Sequence, residues 1–371
     1  MHDTRARRWG PAGALLLGLM GCAPEDASGT VMAQIYAWEP LEGRYSLRRE
    51  AVENLESLRE LRGRDVDFRM GSELNQVQLD DSLTVVRGRS FALEYSREAD
   101  GTIVPGDLHS LYALSLYRNL DRVASKLRAH GHTPLQRLDV FYFPRFDHLL
   151  TGDGRGNFTD NAAYVPQAPG FVIVPSFMMG ELPMPLNEGV VAHEYGHAVI
   201  HQELFGEAPE APNGEEWPVT HRHLDSLHEG VADLFGLIIT GDPDFIRHTA
   251  SGIDRNLAEP RDYTEKDLQD LQEGTGDYEP HDHGSIMARA VYELWPKDAQ
   301  GRVSESERDR LLDLTLEALR ALRFEQDTFT LASFPDALVA RMNPEERPAA
   351  CDVLRARLAP LASHLLTCEG L

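Results

Sequence analysis

Two histidines four residues apart constrain this chain more than any other feature of its sequence. His193 and His197 lie in VVAHEYGHAVIHQ, residues 190–202, a run that is otherwise mostly apolar and helix-forming. On a helix, residues at positions i and i+4 lie on one face, so both imidazoles can reach one metal ion. Glu194 directly follows the first histidine and lies close by without having to be a ligand. The run therefore predicts a helix that presents two metal ligands and one base.

A catalytic zinc site also needs a third protein ligand and an open position for water. The segment LHEGVADLFG offers that ligand as Glu229, and Asp233 follows it at helical spacing. Asp233 is then expected to accept a hydrogen bond from the second ring nitrogen of His193 and to hold that ring in place. Alternatively, both acids lie on a solvated helix face. Their neighbours are apolar, however, and carboxylates are costly there unless they are paired or bind a metal.

Four further histidines crowd this region and have no assigned role, namely His201, His221, His223 and His228. The pair at 221 and 223 could bind a metal in principle. A zinc ion with three protein ligands and water is already satisfied, so we interpret the four as surface or loop residues.

The charge of the chain excludes one class of partner. Its 371 residues include 60 acidic and 36 basic side chains, which gives a formal net charge of −24. Nucleic acids and anionic membrane surfaces repel such a protein, so we expect no nucleic-acid partner. Neutral or cationic partners fit better.

The N-terminus has the pattern of an export signal. Three arginines within the first eight residues precede an apolar stretch at 12–20 that is too short to span a bilayer. The sequence LMGC, ending at Cys22, resembles a bacterial lipobox, in which the cysteine is lipidated and becomes the mature N-terminus. Residues 1–22 are therefore predicted to be a lipoprotein signal peptide, the alternative being a secretory signal with a chance cysteine. The expected location is the bacterial cell envelope, by analogy the outer membrane, with the lipid as the only membrane contact.

Export would take the two remaining cysteines, Cys351 and Cys368, out of the reducing cytosol. They could form a disulfide or remain two separate thiols. The Gly- and Asp-rich stretch at 151–160 has the composition of a calcium loop but not its spacing, so an ordinary turn is predicted and Ca²⁺ binding has no further support.

Residues 23–105 carry no catalytic motif. They mix a charged stretch with helical spacing, LRREAVENLESLRELRGR at 47–64, with strand-like pieces such as SLTVVRGRSFALEY at 82–95. We interpret them as a tether followed by an accessory domain, a prosegment-like region or the start of the catalytic part.

The pattern changes after residue 105. An amphipathic helix of about six turns is predicted over 108–127, because apolar residues recur there at helical spacing. Strands are expected at 138–143 and within 161–176. A loop rich in Pro, Gly and Glu at 206–218 then precedes a mainly helical remainder.

HEYGH followed by EGVAD resembles the gluzincin metallopeptidases, and further segments resemble their thermolysin-like branch. NAAY is similar to the edge strand on which those enzymes bind the substrate backbone, here through Asn161 and Ala162. DRNLAEP resembles the segment whose arginine holds the substrate carbonyl, here Arg255. HDHGSIMARAVYELW resembles the helix with the histidine that stabilises the transition state, and its apolar pattern selects His281 over His283.

Each of these matches has a plain alternative. Asn161 could only form a turn, Arg255 could be a surface cation, and His281 could be a loop histidine. Their order and spacing support one another, and the resemblance extends over about residues 106–345. One departure from the family pattern is His228, which replaces the asparagine that commonly precedes the third zinc ligand.

The resemblance implies an α+β, two-lobed zincin fold. Residues 106–205 are expected to form an N-terminal catalytic lobe with a mixed sheet and the HEYGH helix. Residues 206–371 are expected to form a mainly α-helical C-terminal lobe.

The implied activity is that of a zinc-dependent endopeptidase acting on peptides or proteins with one catalytic Zn²⁺. Val190 matches a position that lines the family's apolar pocket, so cleavage before apolar residues is expected. The alternative is a non-catalytic zinc-binding surface lipoprotein or adhesin that retains the fold. An aminopeptidase is a third alternative, but we recognise no exopeptidase motif for it.

Overall fold

The structure is a computed structural model that describes residues 26–76, 83–146, 162–173, 182–206, 217–274, 278–299, 301–322 and 329–370. The strands within these residues are β1 (Gly29–Glu39), β2 (Arg44–Ser57), β3 (Arg62–Gly63), β4 (Val66–Met70), β5 (Glu73–Gln76), β6 (Leu83–Val86), β7 (Arg89–Ser90), β8 (Tyr95–Arg97), β9 (Ile103–Pro105), β10 (Leu138–Tyr142), β11 (Arg145–Phe146), β12 (Ala162–Val165) and β13 (Gly170–Ile173). The α-helices are α1 (Leu108–Ala129), α2 (Glu188–Phe205), α3 (Pro218–Thr240), α4 (Glu265–Glu273), α5 (Pro280–Glu293), α6 (Glu305–Ala321), α7 (Ser333–Val339) and α8 (Arg347–Arg357). Short 3-10 helices lie at Met184–Leu186, Phe245–His248, Ala359–His364 and Leu366–Cys368.

One large mixed sheet contains most of the strands. Its order is β12, β13, β10, β4, β3, β2, β1, β9, β8, and β7 pairs with β4 at its side. The central strand β10 is parallel to both of its neighbours, whereas β1 and β2 form a long antiparallel hairpin. A smaller sheet joins β11, β5 and β6. At one end of the large sheet, β12 is an edge strand that packs against α2.

The stretch 47–64, predicted to be helical, contains most of β2, a turn at 58–61 and β3 instead, so that prediction was wrong. Residues of β2 pair with β1 in antiparallel register, with Val31 opposite Val52. Asn54, which has a φ of 53°, lies where β2 contains one extra residue relative to β1. This bulge places the buried Val52 and Leu55 three residues apart, and the turn at 58–61 buries Leu58 and Leu61, so the apolar residues have a spacing that imitates a helix. Pairing across the hairpin outweighs the local helix propensity.

The amphipathic helix predicted over 108–127 is α1. Asp107 caps its N-terminus by accepting a hydrogen bond from the Ser110 N–H at 2.6 Å, and Lys126 and Arg128 occupy the last turn, where the helix dipole favours cations. The helix packs against β1 and β2 and also against α2. It therefore connects the sheet to the helix that carries the histidine pair.

Glycines allow three helices to approach one another closely at the motifs. A Cβ on Gly196, within HEYGH, would lie 2.9 Å from a ring atom of Phe235 and 3.1 Å from the Cα of Ala232 in α3. A Cβ on Gly230, within EGVAD, would lie 2.3 Å from the carbonyl oxygen of Gly284 in α5. Larger residues at these points would push the helices apart. The helices that carry HEYGH, EGVAD and HDHG can therefore lie close together because each motif contains a glycine at the point of contact.

The C-terminal segment is closed by a disulfide between Cys351 and Cys368, whose Cα atoms lie 5.5 Å apart. Of the two alternatives left by the sequence, the structure has the paired form. In the same segment, the guanidinium of Arg357 forms an ion pair with Glu293 of α5, and its carbonyl accepts the N–H of Tyr263. The disulfide thus closes a segment that braces α5.

The α+β class predicted from the sequence is confirmed in its coarse form, as a large mixed sheet with several helices. The division into two lobes stays a prediction, as do the domain bounds at 22, 105 and 205. The large sheet draws strands from both sides of residue 105, because β1 precedes it and β10 follows it. No helix in the described ranges is long and apolar enough to cross a membrane.

Candidate metal centre and cleft

Helix α2 begins at an asparagine cap. The side-chain carbonyl of Asn187 accepts hydrogen bonds from the N–H groups of Gly189 at 3.0 Å and Val190 at 3.3 Å. Glu188 follows, fully buried, and forms ion pairs with two arginines of α1. These contacts fix the start of the helix and hence the direction in which its histidines point.

The structure brings His193, His197 and Glu229 together. The Nε2 atoms of the two histidines are 3.2 Å apart. The carboxylate oxygens of Glu229 lie 3.2 Å from His193 Nε2 and 3.6 Å from His197 Nε2. Among the described residues, these three form the one group of candidate metal ligands whose donor atoms all lie within 4.8 Å of one another.

The separations and hydrogen bonds of this group fit a bound cation. Tetrahedral zinc with ligands at about 2.0–2.1 Å places ligand atoms roughly 3.3–3.4 Å from one another, close to the distances seen here. His193 Nδ1 lies 3.0 Å from Asp233 Oδ1 and donates its proton there, which leaves Nε2 for the metal. Glu229 Oε2 is buried and has no well-formed hydrogen bond to another described residue, although nitrogens of His193 and His281 lie 3.2 and 3.1 Å away. A cation would satisfy this oxygen.

Burial and neighbouring charges set the protonation of the three side chains. Burial lowers the pKa of His197 to about 3, so this ring is neutral at neutral pH. Burial opposes the charge of Glu229, but His197 and His193 outweigh it and hold the pKa of this carboxylate well below its usual range. Burial also opposes the charge of His193, yet its contacts with Asp233 and Glu229 raise its pKa to about 9. A metal ion binding there must therefore displace a proton from His193.

Glu194 lines the same space from α2. It is buried, and burial raises its pKa to about 7, with the charge of His193 acting in the opposite direction. A carboxyl group with that pKa can accept and release a proton near neutral pH, which is what a general base and acid must do.

Arg255 is buried rather than a surface cation. Its Nε donates to Asp233 Oδ2 at 3.2 Å and its Nη2 donates to the other oxygen of the same carboxylate. The fully buried Asp233 therefore serves two partners, since it also contacts His193. The guanidinium reaches the cleft beside Glu229, 3.7 Å from Oε2.

Of the two histidines at the start of α5, His281 reaches the cleft. Its Nε2 lies 3.1 Å from Glu229 Oε2, and its Nδ1 lies 2.7 Å from Glu279 Oε1. His283 is buried, and its Nδ1 lies 3.0 Å from the hydroxyl of Tyr263. His281 is a helix residue here, so the alternative that placed it in a loop is excluded.

The cleft above these residues has a volume of about 780 Å³. One face of α2 forms its floor, because residues at spacings of three and four along the helix line it: Val190, His193, Glu194, His197, His201 and Phe205. At the Val190 end, the side wall comes from the segment around the 3-10 helix at 245–248. We call this side the apolar wall; it consists of Val190, Phe245, Ile246, Ala250 and Ile253.

The edge strand β12 borders the cleft with Ala162 at its first position. Asn161, the predicted partner for a substrate backbone, lies outside the described residues, as do Cys22 and the turn at 151–160. Their predicted roles stay predictions.

The four histidines to which the sequence assigned no role lie on helices, not in loops: His201 on α2, and His221, His223 and His228 on α3. The interpretation as surface or loop residues was wrong for His223, which is buried and accepts the Leu331 N–H at 3.2 Å. His201 and His228 line the cleft. No pattern in the sequence indicated this, because histidine is common in both environments.

One contact beside the site was missed at the sequence level. Glu279, which orients His281 Nδ1, stands only two residues before that histidine in EPHDH. The sequence could have indicated this contact, because a glutamate so close to a histidine in the chain can pair with its ring.

No protein-family model matches this chain, and no curated protein matches it by sequence. A solved structure titled as the precursor of protealysin, a metalloproteinase from Serratia proteamaculans, is similar to it. The identity is 13%, the TM-score is 0.43, and the match covers 77% of this chain and 86% of that one. Because the sequence identity and the TM-score are this low, the function has to be inferred from the candidate site itself.

Proposed function

We propose that this protein is a zinc-dependent endopeptidase of the thermolysin-like, gluzincin type. The proposal is supported above all by His193, His197 and Glu229, which converge at separations of 3.2–3.6 Å beside the buried carboxyl of Glu194. Two imidazoles and one carboxylate are the ligands of a catalytic zinc site, which keeps a fourth position open for water.

A zinc ion held by these three residues would polarise the scissile carbonyl and lower the pKa of a water molecule towards neutrality. Asp233 keeps the ring of His193 oriented, because its carboxylate accepts the Nδ1 proton. The same carboxylate also neutralises Arg255, which would otherwise be a buried, unpaired cation next to the metal ligands.

Glu194 acts as the base in this reaction. Its carboxylate accepts a proton from the attacking water and later delivers that proton to the departing amine. His281 donates a hydrogen bond from Nε2 to the negative charge that develops on the carbonyl oxygen. Glu279 orients His281 from the other side of the ring by facing Nδ1 at 2.7 Å.

The substrate would bind as an extended chain along the cleft. Ala162 of the edge strand, together with Asn161, which precedes it in the sequence, would hold its backbone by strand addition, and Arg255 would hold a substrate carbonyl. The residue after the cleaved bond contacts the apolar wall, so bulky apolar residues are favoured there.

We place the enzyme in the bacterial cell envelope, anchored by a lipid on Cys22, more specifically at the outer membrane. The N-terminal pattern supports this location, and the disulfide between Cys351 and Cys368 agrees with export, since such bonds persist in oxidising compartments. Mass spectrometry of the mature N-terminus tests it. An unmodified Cys22, or a cut at another position, would refute lipidation.

The activity is tested with the full-length protein, purified in mild detergent and incubated with a peptide library. Metal content is measured before and after chelation, and again after zinc is restored. We expect about one zinc per chain and cleavage that disappears with the metal and returns with it. Stoichiometric zinc without any cleavage would favour the non-catalytic zinc-binding lipoprotein, and loss of zinc without loss of cleavage would overturn the mechanism.

A further inference from the structure

The end of the cleft opposite the apolar wall is lined by a row of rings that have no part in the proposed reaction. We call these side chains the ring wall: Tyr164, His201, Phe205 and His228. The row begins at His197, with centroid distances of 6.0 Å to His228, 6.3 Å from there to Phe205, 5.5 Å to His201 and 6.1 Å to Tyr164. The rings therefore extend continuously from a candidate zinc ligand to the edge strand.

Three separate elements contribute to the ring wall. His201 and Phe205 are four residues apart on the face of α2 that forms the floor, His228 precedes Glu229 on α3, and Tyr164 belongs to β12. All four side chains are only partly buried and border the cleft. A stripe of core residues on one helix would not show this arrangement.

A carboxylate lies at the same end of the cleft. Asp225 is located three residues before His228 on α3, and its Oδ2 is 2.8 Å from His221 Nδ1. The described residues that line the whole cleft include five carboxylic acids, namely Glu194, Asp225, Glu229, Glu279 and Asp282. The one lysine or arginine among these lining residues is Arg255, and Asp233 neutralises it. Among the described lining residues, the end with the ring wall therefore has the carboxylate of Asp225 and no lysine or arginine, and the partner of this carboxylate is His221, which lies outside the lining.

We propose that the ring wall and Asp225 bind a basic side chain of the substrate, lysine or arginine, on the N-terminal side of the cleaved bond. The ring faces of Tyr164 and Phe205 attract a cation within about 6 Å of the ring centre, imidazole nitrogens can accept hydrogen bonds from it, and the carboxylate adds a direct charge interaction. The net charge of −24 agrees with a cationic partner.

The direction along the cleft rests on the proposed peptidase function. Helix α2 carries the apolar wall residue Val190 at one end of the floor, the histidine pair in the middle and Phe205 at the other end. If the residue after the cleaved bond lies at Val190, the residues before the bond lie towards Phe205. The basic side chain would then precede the cleaved bond by one to three positions.

The first test compares substrates with the unaltered protein. Each set of three peptides shares an apolar residue after the cleaved bond and carries lysine, norleucine or glutamate at one preceding position, and one set is made for each of the three positions before the bond. Norleucine keeps the length of lysine without its charge. We expect kcat/KM to be about tenfold higher for lysine than for norleucine at low salt, and lowest for glutamate. Equal values for lysine and norleucine at each of the three preceding positions would overturn the proposal.

The second test assigns the preference to residues. Asp225→Asn and Phe205→Leu are each expected to reduce the lysine-to-norleucine ratio about threefold or more, because one removes the carboxylate charge and the other an aromatic face. Asp352→Asn is the matched control, because it removes one negative charge from a carboxylate that is 82% exposed on α8, an element that contributes no residue to the cleft lining. A ratio that falls equally in Asp352→Asn would show a general charge effect and overturn the assignment.

Binding separates this inference from the peptidase function. The dissociation constants of the same peptides are measured with zinc-loaded Glu194→Gln, which lacks the proposed base. Tighter binding of the lysine peptide supports the ring wall even if the unaltered protein cleaves nothing. Cleavage without any preference for lysine would reject the ring wall and leave the peptidase function intact.

Discussion

The hydroxyl of Tyr45 donates a hydrogen bond to the side-chain carbonyl of Asn187 at 2.9 Å, and so joins strand β2 to the cap of the helix with the histidine pair. The same hydroxyl accepts the N–H of Glu188 at 2.9 Å. From its other side, Asn187 donates to the carbonyl of Phe245 and to the hydroxyl of Thr249, both at 2.8 Å. The N-terminal hairpin is thereby connected to the start of α2 and to the apolar wall.

Replacement of Tyr45 by phenylalanine should weaken this connection. Tyr45→Phe removes both hydrogen bonds of the hydroxyl and keeps the ring, which packs 5.1 Å from Trp38. We expect the free energy of unfolding to fall by about 1–2 kcal/mol, measured by urea denaturation. Tyr36→Phe is the control, because it removes a tyrosine hydroxyl from the neighbouring strand β1 and keeps the hydrogen bond that the Tyr36 N–H donates to Ser115. Equal losses in both variants would contradict a specific role of the Tyr45 hydroxyl.

Asp233→Asn should weaken metal binding. The variant removes the charge that pairs with Arg255 and orients His193. Loss of such an outer carboxylate typically costs about 10- to 100-fold in metal affinity, and we expect a decrease in that range. Competition with a chelating dye measures it. Unchanged zinc affinity would show that Asp233 does not support the site.

Glu279→Gln should slow the reaction without removing the metal. The carboxylate that faces His281 Nδ1 at 2.7 Å is lost, so the ring is held less firmly while the zinc ligands keep their contacts. We expect kcat to fall about tenfold with KM and zinc content unchanged. Glu273→Gln, on the neighbouring helix α4, serves as the control. A change confined to KM would instead assign Glu279 to substrate binding.

The stability of the fold should depend on the protonation of Asp121, far from the cleft on α1. Burial raises the pKa of this carboxyl to about 6, while a hydrogen bond from Asn54 at 2.9 Å acts in the opposite direction. The folded state therefore binds the proton more tightly than the unfolded state, and Asp121 becomes destabilising as pH rises from about 4 to 6.

Asp121→Asn removes this dependence. Relative to the unaltered protein, the variant should gain about 1–3 kcal/mol of unfolding free energy between pH 4.5 and pH 8, measured by urea denaturation at both values. A difference between the two proteins that is the same at both pH values would contradict the raised pKa.

The candidate metal ligands could be predicted from the sequence because their constraints are local. His193 and His197 share a helix, as do Glu229 and Asp233, so spacing alone places each pair on one face. The contact between α2 and α3 was inferred from chemistry, because a zinc site with two histidines needs a third ligand. The physical reason lies in the small residues such as Gly196, which let the backbones approach.

Contacts between distant parts of the chain were beyond the reach of sequence periodicity. The bulge at Asn54 hid a strand behind helical spacing, and only pairing with β1 fixes its conformation. The position of Tyr45 over Asn187 depends on how the hairpin packs, which no local pattern encodes. The ring wall escaped notice for the same reason, since its members come from α2, α3 and β12.

The most direct test of the proposed chemistry compares the unaltered protein with Glu194→Gln, measuring zinc content and peptide cleavage on the same samples. We predict about one zinc per chain in both proteins, and a kcat that falls at least about a thousandfold in the variant, because the ligands remain and the base is lost. Full cleavage by zinc-loaded Glu194→Gln, or absence of zinc from both proteins, would contradict the proposed mechanism.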